Sequence, residues 1–209
     1  MTVAVNPTQS GTPVFYLADE HPHPEGWSTS LGFWIYLMSD CLIFAMLFAA
    51  FGVLGGNYAA GPAPKDLFDL DLVAVNTSML LLSSITYGFA MLTMQQNKTA
   101  QTQMWLAITG LFGLAFIGIE LTEFAHMIHE GATPQRSAFL SAFFTLVGCH
   151  GLHVTAGLLW LLTMMAQVAT KGFRPDILRR VLCFSLFWHA LDIVWVAVFT
   201  VVYLMGSIA

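Results

Sequence analysis

Several acidic, imidazole and indole side chains of this 209-residue chain lie inside long apolar segments, where ionisable groups are unusual. A charged group at the centre of a bilayer costs about 2.5–3.5 kcal/mol on insertion scales, so such residues should face protein or trapped water. They could bind a metal or haem, carry protons, or form hydrogen bonds between helices. The candidate site residues are Asp40, Glu120, Glu123, His150, His153, Trp188, His189, Asp192 and Trp195.

Three of the last four candidates, Trp188, Asp192 and Trp195, share a helix face, and His189 lies beside Asp192. His189 and Asp192 are one helical turn apart. Trp188 lies one turn before Asp192 and Trp195 lies one turn after it. The carboxyl group therefore shares a stripe with two indoles that can donate hydrogen bonds. We expect His189 and Asp192 to satisfy each other and the neighbouring helices.

A second stripe lies in the segment VGCHGLHV, which carries His150 and His153. The adjacent Gly148 and Gly151 are expected to allow close approach of another helix, because small residues let helix backbones pack tightly in membranes. An earlier segment has no ionisable group but offers polar groups for interhelical hydrogen bonds. These are Asn76, Ser83 and Tyr87, which share one face.

Metal and haem binding are two interpretations of these residues. The sequence EFAH, with Glu123 and His126, has the Glu-x-x-His spacing of di-iron bundles. A di-iron bundle needs that motif on two helices and a Glu from each of two others, and here it occurs once. A haem with two axial histidines would need His150 or His153 to face His189 at equal depth, and the sequence alone leaves this open.

Proton transfer is a third interpretation, through Asp40, Glu120 and Glu123. The alternative for the same carboxyl groups is hydrogen bonding between helices or to lipid headgroups. Both interpretations place the groups away from the acyl chains.

The composition indicates what positions these side chains. The chain is 57% hydrophobic and 9% charged, with a mean hydropathy of +0.72, which is typical of an integral membrane protein. A hydrocarbon core about 30 Å thick needs roughly 20 apolar residues per helix. We predict an all-α, five-helix transmembrane bundle in residues 28–209, after a polar tail in residues 1–27. The predicted spans are 31–54, 72–94, 103–128, 138–168 and 181–205.

The basic residues predict the orientation. Lys98, Lys171, Arg174, Arg179 and Arg180 fall in loops on the side of the N-terminus, whereas Lys65 and Arg136 fall on the opposite side. The positive-inside rule then places the N-terminus in the cytoplasm and the C-terminus outside. The tail has no basic region before an early apolar core, so no cleavable signal peptide is expected.

Five motifs carry a resemblance to a known family. In order, they are LGFWIYLMSDCLIFA, SSITYG, FIGIELTEF, FLSAFFTLVGCHGLHVTAGLLWL and LFWHALDIVWVAVFTVVYLMG. Together they resemble subunit III of the haem-copper respiratory oxidases, and more closely the bacterial ubiquinol oxidase branch of cytochrome bo type. The match begins near residue 25, so the tail is not covered by it.

The resemblance implies a non-catalytic subunit of a proton-pumping ubiquinol oxidase in the bacterial inner membrane. It implies that this chain binds no cofactor, that haems and copper lie in subunit I, and that subunits II and IV and phospholipid are further partners. No nucleic-acid partner is expected. Two alternatives remain: a stand-alone membrane haem protein, and the related accessory subunit of a nitric oxide reductase.

The resemblance also implies roles for individual residues. Asp40 stands where the cytochrome c oxidase branch usually has Glu, at a position associated with a lipid-binding cleft, and Glu120 stands where that branch commonly has Gln. The remaining histidines and carboxylates are implied to be structural residues on the inner helix faces. These are Glu123, His150, His153, His189 and Asp192, and they match motif positions of the family.

Overall fold

The computed structural model describes residues 27–58 and 70–208, and the predicted tail of residues 1–27 lies outside them except for its last residue. The described chain is α-helical between short turns and contains no strand. The elements are α1 (Trp27–Leu54), α2 (Leu70–Gln95), α3 (Thr99–His129), α4 (Ala138–Lys171), α5 (Pro175–Val198), a π-helical segment (Phe199–Leu204) and α6 (Met205–Ile208).

Five of these helical stretches are long and apolar enough to cross a membrane, α5 together with the segments that continue it. At a rise of about 1.5 Å per residue, a helix of this kind exceeds the hydrocarbon thickness of about 30 Å. The predicted fold class is confirmed. The largest difference in bounds is at α5, which begins at Pro175 instead of residue 181, because proline at the first helical position and Asp176 in the first turn favour an earlier start.

The helix contacts define a four-helix bundle with a fifth helix on its outside. α2 packs on α3, α3 on α4, α4 on α5, and α5 returns to α2. α1 lies against α4 and α5. α5 therefore lies between α2 and α1, and its side chains form many of the buried contacts in the bundle.

Trp188 of α5 fills the centre of the bundle, where two glycines make room for it. A β-carbon at Gly157 of α4 would lie 2.9 Å from Trp188 Cζ3, and one at Gly113 of α3 would lie 3.2 Å from Cη2 of the same ring. The prediction for Gly148 and Gly151 is wrong: a β-carbon at Gly148 would meet only a Phe124 carbon at 4.0 Å, and one at Gly151 would meet nothing within 4 Å. The close approach that was predicted at these two glycines occurs further along α4, at Gly157.

Short turns with specific backbone requirements end and begin these helices. Gly131 and Gly172 have φ of +79° and +67°, a conformation that disfavours residues with a β-carbon, and they follow the ends of α3 and α4. Ser137 accepts a hydrogen bond from the Leu140 amide at 3.1 Å, which caps the start of α4. These turns fix adjacent helices in antiparallel order.

Candidate functional site

A contact that contains a histidine and an aspartate joins α2 and α5 through Ser84 at mid-membrane depth. The Ser84 hydroxyl donates to Asp192 Oδ2 and lies 3.1 Å from His189 Nδ1. His189 Nδ1 is 3.7 Å from the same carboxylate oxygen, which is longer than a hydrogen bond. His189 and Asp192 are adjacent, but the prediction that they satisfy each other directly is wrong, because Ser84 connects them. His189 is also exposed and so does not lie on the inner helix face that the resemblance implied. The sequence analysis missed Ser84 because it selected the neighbouring Ser83 for this face.

Serine, histidine and aspartate together raise the question of nucleophilic catalysis. In a catalytic triad the serine contacts one imidazole nitrogen and the carboxylate holds the other. Here Ser84 and Asp192 both approach Nδ1 of His189, and Ser84 is bound directly to the carboxylate. The arrangement is a hydrogen-bonded contact between two helices and does not have the geometry of an activated nucleophile.

The two predicted indoles donate to hydroxyls of α2. Trp188 Nε1 lies 3.0 Å from Ser83 Oγ, and Trp195 Nε1 lies 3.0 Å from Thr77 Oγ1. Both indoles are buried. The shared stripe with Asp192 thus turns the indoles toward α2, and their hydrogen bonds reinforce the α2–α5 contact.

The polar face predicted on α2 makes the expected interhelical bonds. Asn76 Nδ2 donates to Glu120 Oε2 of α3 at 3.0 Å, and both residues are buried. The Tyr87 hydroxyl donates to the Val181 carbonyl of α5 at 2.8 Å. With Ser83, which accepts from Trp188, all three predicted residues of this face bond to another helix.

Glu120 and Glu123 share a buried region with a tyrosine that the sequence analysis did not select. Both carboxyl groups are buried, and Tyr203 is close enough to interact electrostatically with each of them. Tyr203 lies in the π-helical segment, which adds a residue to the turn and alters which side chains face inward. A regular helical period does not predict that change.

Asp40 and His153 form the polar contact between α1 and α4. His153 Nε2 lies 3.1 Å from Asp40 Oδ1, and Nδ1 lies 2.7 Å from the Cys149 carbonyl one turn earlier. The backbone bond orients the ring and directs Nε2 at the carboxylate. The sequence selected both residues but gave no indication that they meet.

His150 is enclosed by aromatic rings. It is fully buried, with ring centroids 5.1 Å from Trp195, 5.9 Å from Phe116 and 6.4 Å from Phe44. Within the described part of the chain, neither ring nitrogen has a hydrogen-bond partner. This histidine acts in packing between α1, α3, α4 and α5.

The structure does not bring the predicted metal or haem ligands into a suitable arrangement. His126 is 72% exposed in its side chain and lies 3.4 Å from Glu130, while Glu123 of the same EFAH motif is buried. His150 packs against Trp195, which is two turns from His189 along α5 and on another face. Among the described residues, no group of three His, Cys, Asp or Glu side chains could hold a metal ion.

The proposed proton-carrying residues belong to separate contacts. Asp40 bonds to His153 between α1 and α4, whereas Glu120 bonds to Asn76 between α2 and α3. Glu120 and Glu123 interact electrostatically with each other and with Tyr203. The geometry supports helix-to-helix bonding at each position more directly than a continuous path.

Comparison with known proteins gives consistent similarities over most of the chain. Residues 18–207 match the family described as cytochrome c oxidase subunit III. The cytochrome bo(3) ubiquinol oxidase subunit 3 of Pseudomonas putida is 59% identical over 184 residues, 88% of this chain and 89% of that protein. Its namesake in Pseudomonas aeruginosa is 56% identical over 189 residues, 90% of each chain. The quinol oxidase subunit 3 of Bacillus subtilis is 42% identical over 187 residues, 90% of this chain and 92% of that protein.

Proposed function

Because this chain belongs to the cytochrome c oxidase subunit III family, we propose that it is subunit III of a bacterial ubiquinol oxidase. The complex is an oxidoreductase that oxidises quinol, and this chain is a multi-pass membrane subunit without a catalytic site of its own. The observation that carries this conclusion is the 59% identity to a ubiquinol oxidase subunit 3 over nearly the full length of both chains.

This assignment implies which subunits of the complex carry the cofactors and the reaction. Haems and copper bind in the catalytic subunit I, where oxygen is reduced to water and protons are pumped, and subunits II and IV complete the assembly. The contacts of this chain support an accessory role, because its selected intramembrane residues bond to or pack against its own helices. Asp40 with His153 and Asn76 with Glu120 are two such pairs.

The subunit supports assembly and stability of the catalytic subunit. Interhelical hydrogen bonds in membranes contribute about 0.6 kcal/mol each on average, and close packing at small residues adds to them. The bundle is rigid because Trp188 and Trp195 bond to α2 and two glycines pack closely around Trp188. A rigid surface limits the ordering that docking to another subunit requires.

A pocket between α1, α4 and α5 supports phospholipid binding. It has a volume of about 400 Å³, with Phe33 and Trp160 on its apolar side and Arg179 and Arg180 at the start of α5. Asp176 also lines the pocket, 3.4 Å from Arg179, and Arg180 donates to Gln167. Guanidinium groups bind phosphate well, and the aromatic rings offer an apolar surface to an acyl chain. Asp40 lies two turns from Phe33 on α1, so the pocket is on the side of the bundle where the family resemblance implies a lipid cleft.

The chain lies in the bacterial inner membrane with its N-terminus in the cytoplasm. The α2–α3 and α4–α5 turns are at the same end of the bundle as the start of α1. Those turns and the start of α5 carry most of the basic residues, which the positive-inside rule assigns to the cytoplasm.

Purification through a tag on this chain tests the proposal. In mild detergent, the tagged chain should bring down the larger haem-containing subunit, and the preparation should oxidise ubiquinol. A tagged transmembrane protein from the same membrane serves as the control for non-specific retention. Recovery of this chain with a nitric oxide reductase, or without any haem protein, would overturn the assignment.

A further inference from the structure

His189 is exposed on the outer surface of the bundle at the depth of the membrane core. Its side chain is 46% exposed, and it lies near the middle of the apolar span Pro175–Ser207. Ser84 approaches the Nδ1 side of the ring. Within the described chain no hydrogen-bond partner contacts Nε2, so a polar nitrogen faces outward where acyl chains offer no donor or acceptor.

Three exposed hydroxyls in the spans do not have this difficulty. The hydroxyls of Thr122, Thr145 and Thr155 donate to carbonyls three or four residues earlier on their own helices. Such internal bonds satisfy a hydroxyl that faces lipid. The Nε2 atom of His189 cannot bond to a carbonyl of its own helix in this way, because the ring already presents Nδ1 to α2.

The surface around His189 is suited to a packed helix. We define the His189 face as Leu81, Ile85 and Gly88 of α2 with His189 and Ile193 of α5. Leu81, Ile85 and Ile193 are all exposed, Ile193 at 72%. A β-carbon at Gly88 would meet nothing within 4 Å, so a second backbone can approach α2 there.

We propose that the His189 face is the docking surface for a transmembrane helix of the catalytic subunit, and that His189 Nε2 bonds to a hydrogen-bonding group of that helix at mid-membrane depth. This inference rests on the proposed function, because it requires an oxidase partner. The outward nitrogen needs a polar counterpart, which a protein helix can supply and acyl chains cannot. Ser84 and Asp192 hold the imidazole ready for that contact by fixing its inner edge.

Site-specific photo-crosslinking in the assembled oxidase tests the location of the surface. A photoreactive phenylalanine replaces Ile193 in one variant and Leu114 of α3 in the matched control. Both positions lie near mid-span, and Leu114 is 60% exposed. We expect the catalytic subunit as the main crosslinked product from position 193 and lipid from position 114.

Crosslinking from position 193 mainly to lipid or to a small subunit would overturn the proposal, and so would capture of the catalytic subunit as the main product from position 114. The same preparations distinguish this failure from failure of the proposed function. Co-purification of the haem-containing subunit with the unmodified chain tests the function, and the crosslinked position tests the surface.

Two substitutions test the hydrogen bond itself. His189→Leu removes both nitrogens, whereas His189→Gln retains a polar group near the position of Nε2. We expect about threefold weaker retention of the Leu variant on the catalytic subunit, in line with one interhelical hydrogen bond, and near-normal retention of the Gln variant. Equal retention of both variants at the unmodified level would contradict a role for Nε2.

Discussion

At the scale of single residues, polar side chains of this protein form hydrogen-bonded pairs that join different helices. Asp40 meets His153, Asn76 meets Glu120, and Asp192 is bound by Ser84. The need to place each ionisable group away from lipid is readable from the sequence. The hydrogen-bond partner of each group cannot be predicted from the sequence, because it depends on which helices are neighbours and on their relative depth.

Replacing Asp192 by alanine should loosen the association of this subunit with the oxidase. Ser84 would lose the buried carboxylate that accepts its hydrogen bond, which costs about 1–3 kcal/mol, and the support that Ser84 gives to His189 would be lost with it. The measurement is the amount of this subunit per catalytic subunit after purification. Glu130→Ala is the control, because Glu130 is exposed at the end of α3 and forms only an exposed ion pair with His126. Full occupancy in the Asp192 variant would contradict the expectation.

The Asn76–Glu120 contact should show measurable coupling. Asn76→Leu removes the donor and leaves a buried carboxyl oxygen without it, and Glu120→Leu removes the acceptor. A double-mutant cycle on the free energy of unfolding in mixed detergent should give a coupling of about 0.6–1.7 kcal/mol. Additive effects of the two substitutions would mean that the contact contributes nothing to folding.

At the scale of helices, apolar length predicts the elements well and small residues predict their packing poorly. Five spans follow from hydropathy and the bilayer thickness alone. Gly148 and Gly151 are small enough for a close contact, yet Gly113 and Gly157 are the positions that contact Trp188. The rotation of each helix decides this, and that rotation is set by the large side chains of neighbouring helices.

Gly157→Ala and Gly151→Ala form a matched pair on α4. At position 157 the added β-carbon would lie 2.9 Å from the Trp188 ring and 3.1 Å from that of Phe187, so we expect a loss of about 1–3 kcal/mol of stability. At position 151 nothing lies within 4 Å, and the better helix propensity of alanine predicts no loss. Thermal unfolding of both variants is the measurement, and equal melting temperatures would contradict the packing described for Trp188.

At the scale of the whole molecule, the family and its complex are predictable from ordered motifs, whereas the docking surface requires the structure. The motifs around Asp40, Glu123, His150 and His189 lie in the right order for the family. The exposed edge of His189 becomes evident only when α2 and α5 are placed side by side. Tyr203 is a further residue of the buried acidic region whose position depends on the π-helical segment.

We propose that this chain is an accessory subunit and that its oxidase partner carries the redox centres. The most direct test compares visible absorption and ubiquinol-dependent oxygen uptake in two preparations, the tagged complex and the tagged chain produced alone. We predict haem bands and oxygen uptake in the complex and neither in the isolated chain. A haem band on the isolated chain would contradict the account and would make His150, His153 and His189 the ligands to test.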